Sequence, residues 1–131
     1  MAMYSSVAAR NAALAAELVT LLGATATAEL WNGAFPVNLA APAGVKLATL
    51  NLGNPAGVVA SGVFTIAGYT QTKLNHVTGT PTFLRLKDSS AATQHDIGIG
   101  AGAGNIQYNG TVINNQDITG TFTITAPNPA A

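Results

Sequence analysis

One stretch limits the choice of fold more than any other. Thr80-Pro81-Thr82-Phe83-Leu84-Arg85-Leu86-Lys87 alternates along its length. Thr82, Leu84 and Leu86 fall on one side and Phe83, Arg85 and Lys87 on the other, the period of two that marks a strand. Asp88-Ser89-Ser90 supplies short side chains that bond their own backbone in a turn. Thr93–Gly100, through Gln94-His95-Asp96-Ile97-Gly98-Ile99, then returns as the antiparallel partner. A hairpin with an apolar face must bury that face against a second layer, which points to a β-rich domain.

The rest of the chain agrees. Ser5 or Ser6 can cap an N-terminal helix, and Gly23 can take the left-handed position that ends it. Between them Val7, Leu14, Leu18, Leu21 and Leu22 form a stripe at helical spacing, interrupted by Asn11, on an otherwise Ala-rich body. Such a helix docks either on its own sheet or on a neighbouring subunit. Arg10, the apolar run Ala12–Leu22 and the small residues Ala24–Ala28 imitate a signal peptide, but Glu17 lies in the middle of the run. We read the segment as a retained helix.

From Thr25 the pattern becomes β. Thr27–Trp31 is a strand ended by Asn32-Gly33, and Pro36–Gly44 is a loop with two prolines. Val45–Leu52 alternates, with Ala48, Leu50 and Leu52 on one face. Val58–Ala60 and Val63–Ala67 flank Ser61-Gly62, a tight turn or a bulge. Tyr69–Val77 is polar and carries no clear period. Asn105–Tyr108 and Ile118–Thr125 are the last strands, separated by Asn109-Gly110 and Asn114-Asn115-Gln116-Asp117. Gly100–Gly104 connects, and Pro127-Asn128-Pro129 ends pairing. Seven or eight short strands with regular turns describe an antiparallel β-sandwich or jelly-roll-like domain with an N-terminal α-helix. We expect a single domain, with residues 1–24 forming the helix and residues 25–131 the sandwich.

Charge excludes several functions. Only 8% of the residues are charged, five basic and five acidic, against about 25% in ordinary domains. No basic face exists to hold nucleic acid, and no run of about 20 apolar residues exists to span a membrane. An uncharged surface of Thr, Asn, Ser, Gln and Ala is poorly protected against association, which favours an assembly subunit and a homo-oligomer.

The residues with chemical potential do not assemble into a catalytic set. Gly98–Gly104 is glycine-rich, but a phosphate loop must open a helix, and a polar strand follows here. His76 and His95-Asp96 are too few for a zinc site. No serine sits in a Gly-x-Ser-x-Gly elbow. Arg85 can pair with Asp88 or Asp96 across the hairpin. We therefore expect no enzyme activity, no catalytic residues, no metal and no cofactor. Trp31 and Phe35, beside the Asn32-Gly33 turn, are the candidate exposed anchors, and with Leu14, Leu18 and Leu21 they make up the expected interface residues.

The order of segments also resembles a known family. The likeness runs through Ala8-Ala9-Arg10-Asn11-Ala12, Leu47–Ala56, Gly79–Ser89, the glycine-rich return and Phe122-Thr123-Ile124-Thr125. The chain resembles small virion structural proteins of tailed bacteriophages and prophages, of the capsid-associated or decoration type. The resemblance implies a non-enzymatic virion component whose partners are the major capsid protein and copies of itself. It places the protein on the capsid surface ahead of the tail. Two other readings stay open, a tail or fibre component and, from another class, a cell-surface or carbohydrate-binding β-module.

Overall fold

The helix begins where a hydroxyl can start it. Ser6 is extended, and its Oγ accepts a hydrogen bond from the Ala9 amide at 3.1 Å. Helix α1 covers Val7–Leu14, and Ala15–Thr20 continues it as a π-helix, in which the Leu21 amide donates to the Ala16 carbonyl at 3.0 Å. The chain is described here by a computed structural model over residues 6–66, 68–100, 106–107, 111–119 and 122–125. The wider π turns bring residues four apart into line. Leu14, Leu18 and Leu22 are buried, at 4%, 2% and 0% exposure, while Leu21 is 48% exposed and Val7 47%. The stripe expected from a regular helix is thus corrected at two positions. Gly23 ends the segment at φ +79°, a conformation that favours glycine.

Nine strands follow among the described residues: β1 Thr27–Trp31, β2 Lys46–Asn51, β3 Gly57–Ala60, β4 Val63–Ile66, β5 Thr70–Gln71, β6 Phe83–Lys87, β7 Thr93–Gly100, β8 Ile106–Gln107 and β9 Thr123–Thr125. They are hydrogen-bonded in the order β3-β4-β9-β8-β7-β6-β1-β2-β5. Strand β7 belongs to both halves. Its first six residues pair antiparallel with β6, and Ile99 and Gly100 pair with β8 in parallel. One apolar core draws on both halves and on the helix, joining Ala28, Leu30, Leu50, Leu84 and Leu86 to Phe64, Ile66, Phe122 and Ile124 and to Leu14, Leu18 and Leu22. The architecture is mainly β and sandwich-like, with the helix closing one side.

Local chemistry explains the joints. Ser61 and Gly62, at φ +52° and +76°, form the left-handed pair that matches hairpin twist between β3 and β4. Asn11, which breaks the leucine stripe, accepts the Gly62 amide at 2.7 Å and so fastens the helix to that hairpin. At the other end of the helix Ser89, in the β6–β7 turn, accepts from the Thr25 amide at 3.0 Å and donates to the Leu22 carbonyl at 3.1 Å. Helix and central hairpin are therefore bolted together at a helix C-terminus that would otherwise leave carbonyls unpaired.

Several expected boundaries move. The strand expected over Thr80–Lys87 begins at Phe83, although the Thr82 amide still bonds the Trp31 carbonyl at 2.8 Å. Among the described residues of Ile118–Thr125, strand covers Thr123–Thr125. Ile118 is buried, and its amide and carbonyl are bonded by the Gln71 side chain, both at 2.9 Å. The connector 101–104, the positions Asn105, Tyr108 and Asn109-Gly110, and Pro127–Pro129 lie outside the described residues.

Candidate functional site

The outer face of the sheet around β1 and β6 gathers half of the chain's five basic and five acidic side chains. Register puts them there. Glu29 lies opposite Arg85, Arg85 opposite Asp96, Thr27 opposite Lys87, and Trp31 opposite both Phe83 and Lys46. Arg85 and Asp96 form a two-pronged pair, Nε to Oδ1 and Nη2 to Oδ2, both at 2.8 Å. Their side chains are only 7% and 3% exposed. Hydrogen bonding to Asp96 raises the Arg85 pKa above its ordinary value, against burial, which lowers it. Glu29 accepts from Trp31 Nε1 at 3.2 Å and from the Lys46 ammonium at 3.4 Å, and it forms an ion pair with Lys87 at 3.4 Å.

Arg85, Asp96 and Glu29 lie inside the fold, with the two lysines at its rim, and the loop between β1 and β2 reaches over Arg85. Arg85 Nη2 donates to the Ala40 carbonyl at 2.6 Å. Asn32 Oδ1 accepts the Val45 amide at 2.7 Å, and Thr82 Oγ1 donates to the Gly33 carbonyl at 2.8 Å. Beneath the loop Phe83 is fully buried, stacked on Trp31 with ring centres 6.4 Å apart and met edge-on by Phe35 at 5.9 Å. Above it the loop is apolar and open. Phe35, Val37, Leu39 and Val45 are 52%, 73%, 44% and 50% exposed, and residues 33–45 carry no charge. Asn38 and Leu39 hold φ of +51° and +60°, strained for a leucine and sustained by the tethers around them.

The expected interface residues therefore part company. Leu14 and Leu18 are interior residues of this chain's own core. Leu21 is exposed on the opposite flank of the helix, Trp31 is half-buried, and Phe35 is exposed on the loop. Of the two partners open to Arg85, it pairs with Asp96 rather than Asp88, and the pair is buried. Asp88 instead organises its own turn, accepting from the Ser90 and Ala92 amides and from Gln94 Nε2 at 2.9, 3.0 and 2.8 Å.

His76 is buried, with Nδ1 2.9 Å from the Gln116 carbonyl. Among the described residues no three His, Asp or Glu side chains come together as a metal site, and no helix is long and apolar enough to cross a membrane. A cavity of about 290 Å³ opens beside β2, lined by Lys46, Ala48, Thr49, Asn51, Thr72, Asn75 and His76. Sequence reasoning missed it because its far wall is the polar, aperiodic stretch after β5. The pairing of Lys73 and His76 with the 113–116 turn leaves no local mark. No known protein family, curated protein or solved structure matches the chain.

Proposed function

We propose that the protein is a structural virion component, an auxiliary or decoration subunit that binds and stabilises a phage capsid shell. The single observation that carries this reading is the β1–β2 loop. It is apolar, uncharged and outward-facing, yet pinned at Ala40 to the buried Arg85, at Gly33 to Thr82 and at Val45 to Asn32. A rigid apolar projection loses little conformational entropy when a partner covers it. Its backbone strain would be wasteful on a surface facing only water. The near-absence of charge elsewhere fits a subunit packed among copies of itself and of a shell protein. A standard contact of about 1,600 Å² in total is enough for each stable neighbour, and repetition over a symmetric shell adds avidity.

The test is labelled antibody on virions from a strain that encodes the chain, beside sedimentation of purified protein with its Phe35→Asp and Val37→Asp variants. Label on the shell, and association that is abolished by either substitution and indifferent to salt, is the expected result. Label on the tail would move the protein to the tail or fibre. Unlabelled particles together with a monomer at all concentrations would end the virion reading.

A further inference from the structure

The chain carries a second apolar surface besides the β1–β2 loop. The loop lies on the outer face of the sheet, over β1 and β6. The second surface lies at the outer edge of β2, where β5 pairs at Leu50·Gln71 and Asn51·Thr70. Beyond Gln71 the ladder is interrupted by the 3-10 turn Lys73–Asn75, and it resumes where the Val77 amide bonds the Leu47 carbonyl at 2.8 Å. Leu74 stands on this arch at 70% exposure, Val77 follows at 45%, and Ile113 joins them from the neighbouring turn at 41%. Among the described residues Val37 on the loop, at 73%, and Leu74 on the arch are the two most exposed large apolar side chains.

The arch is as firmly held as the loop. The Asn115 amide donates to the Lys73 carbonyl at 3.0 Å, and the Asn114 amide donates to Thr78 Oγ1 at 3.1 Å. Gly79 and Val112 exchange both of their backbone hydrogen bonds, at 2.9 and 2.8 Å. Both surfaces are also neutral. Residues 33–45 and 111–116 contain no Asp, Glu, Lys or Arg, and Lys73 on the arch is paired with Asp117 at 3.9 Å. Single exposed apolar residues are ordinary, but fixed and neutral clusters at two places on one small chain are not.

We propose that these two surfaces cover each other between copies, the β1–β2 loop of one copy seating on the arch and 113–116 turn of another. Size argues against a contact of loop with loop. A patch of three or four half-exposed side chains offers on the order of a few hundred Å², well under the roughly 800 Å² that each partner brings to a standard interface. A copy that uses both patches doubles its apolar contact, and a second copy supplies both at once. Neutrality suits the match, since neither side brings a charge that would have to be buried unpaired. Both sides are held in place beforehand, so little conformational freedom is lost on contact. The contact joins two different surfaces of the same chain, and every copy therefore carries both halves of it. The proposal rests on the reading of the loop as an assembly surface and names another copy as its partner.

The experiment compares sedimentation of the full chain, of Val37→Asp, of Leu74→Asp and of an equal mixture of the two variants. Both side chains are largely exposed, so each variant keeps its fold, checked by melts that match the wild type. The wild type is expected to associate. Each variant alone should stay monomeric at the same concentration, because every contact between identical copies then contains the substitution. The mixture should regain association and stop at the dimer. Leu74→Asp still offers an intact loop and Val37→Asp an intact arch, which is one good contact and no second. A loop-on-loop contact gives a different pattern, in which Leu74→Asp associates like the wild type and mixing restores nothing. That pattern, or a mixture that stays monomeric, would overturn the proposal. A wild type that is monomeric yet binds shells would overturn it too and leave the capsid reading standing. Association restored by mixing, in a chain whose antibody label is absent from virions, would uphold the loop-on-arch contact and end the capsid reading instead.

Discussion

Replacing Arg85 with Met tests the buried network most directly. The substitution keeps most of the side-chain volume and removes three hydrogen bonds, two to Asp96 at 2.8 Å and one to Ala40 at 2.6 Å. Asp96, 3% exposed, is left as an unpaired buried carboxylate. Breaking one side of such a pair costs about 3–5 kcal/mol, a large share of the roughly 5–15 kcal/mol that holds a domain together. The same physics predicts an asymmetry. Arg85→Met/Asp96→Leu removes both charges and should recover most of the loss, because an apolar pair need not be desolvated at the same cost. Urea unfolding of the wild type, both single variants and the double variant gives the coupling energy from the midpoints at constant slope. A single Arg85→Met variant within about 1 kcal/mol of wild type would show that the pair is solvated and that the loop does not seal it. A double variant as unstable as the worse single one would show that the Ala40 tether, rather than the stranded carboxylate, carries the energy.

Three further outcomes follow from the same structure. Leu18→Ala should lower stability by about 2–5 kcal/mol, whereas Leu21→Ala should stay within about 0.5 kcal/mol, as thermal melts followed by circular dichroism would show. Gly57→Ala should destabilise strongly, since a Cβ there would run into the Thr65 carbonyl and, at 2.5 Å, the Phe64 ring; denaturant midpoints read this directly. Hydrogen bonds from the Ala92 amide and Gln94 hold the Asp88 carboxyl below its ordinary 3.8. A depressed carboxyl contributes stability above its unfolded pKa and loses it as pH falls through the folded value. Acid unfolding below about pH 4 should therefore contain an Asp88 component that is absent from Asp88→Asn, measured as a smaller pH dependence of the melting temperature.

The elements that could be read from the chain are those whose determinants are local. Ser6, Gly23 and Ser61-Gly62 act within a few residues of themselves, and β1 ends at Asn32-Gly33 as its dipeptide suggests. Phe83, Arg85 and Lys87 show the limit. Alternation assigns them correctly to the face away from Leu84 and Leu86, but it does not reveal that a loop some 45 residues earlier in the chain covers that face through Ala40. The leucine stripe failed at Leu21 because a π turn has no signature in a 3.6-residue period. The burial of Ile118 outside any strand escaped because Gln71 bonds both its amide and its carbonyl with a side-chain amide, and periodicity records nothing of that kind.

The strand order has a consequence for how the molecule comes into being. Strand β4 finds one neighbour at once, across the Ser61-Gly62 turn, but its other neighbour is β9, made about 60 residues later. Strand β1 likewise waits for β6. On a ribosome, at about 5–20 residues per second, the edge of β4 stays open for several seconds before Thr123–Thr125 arrives to occupy it. An open edge can take a strand from another chain as readily as its own. Nascent copies made close together could thus exchange this last strand, and a purification from high-level expression should contain interlinked dimers that dilution alone does not separate. Slow, low-concentration synthesis would favour the self-contained form.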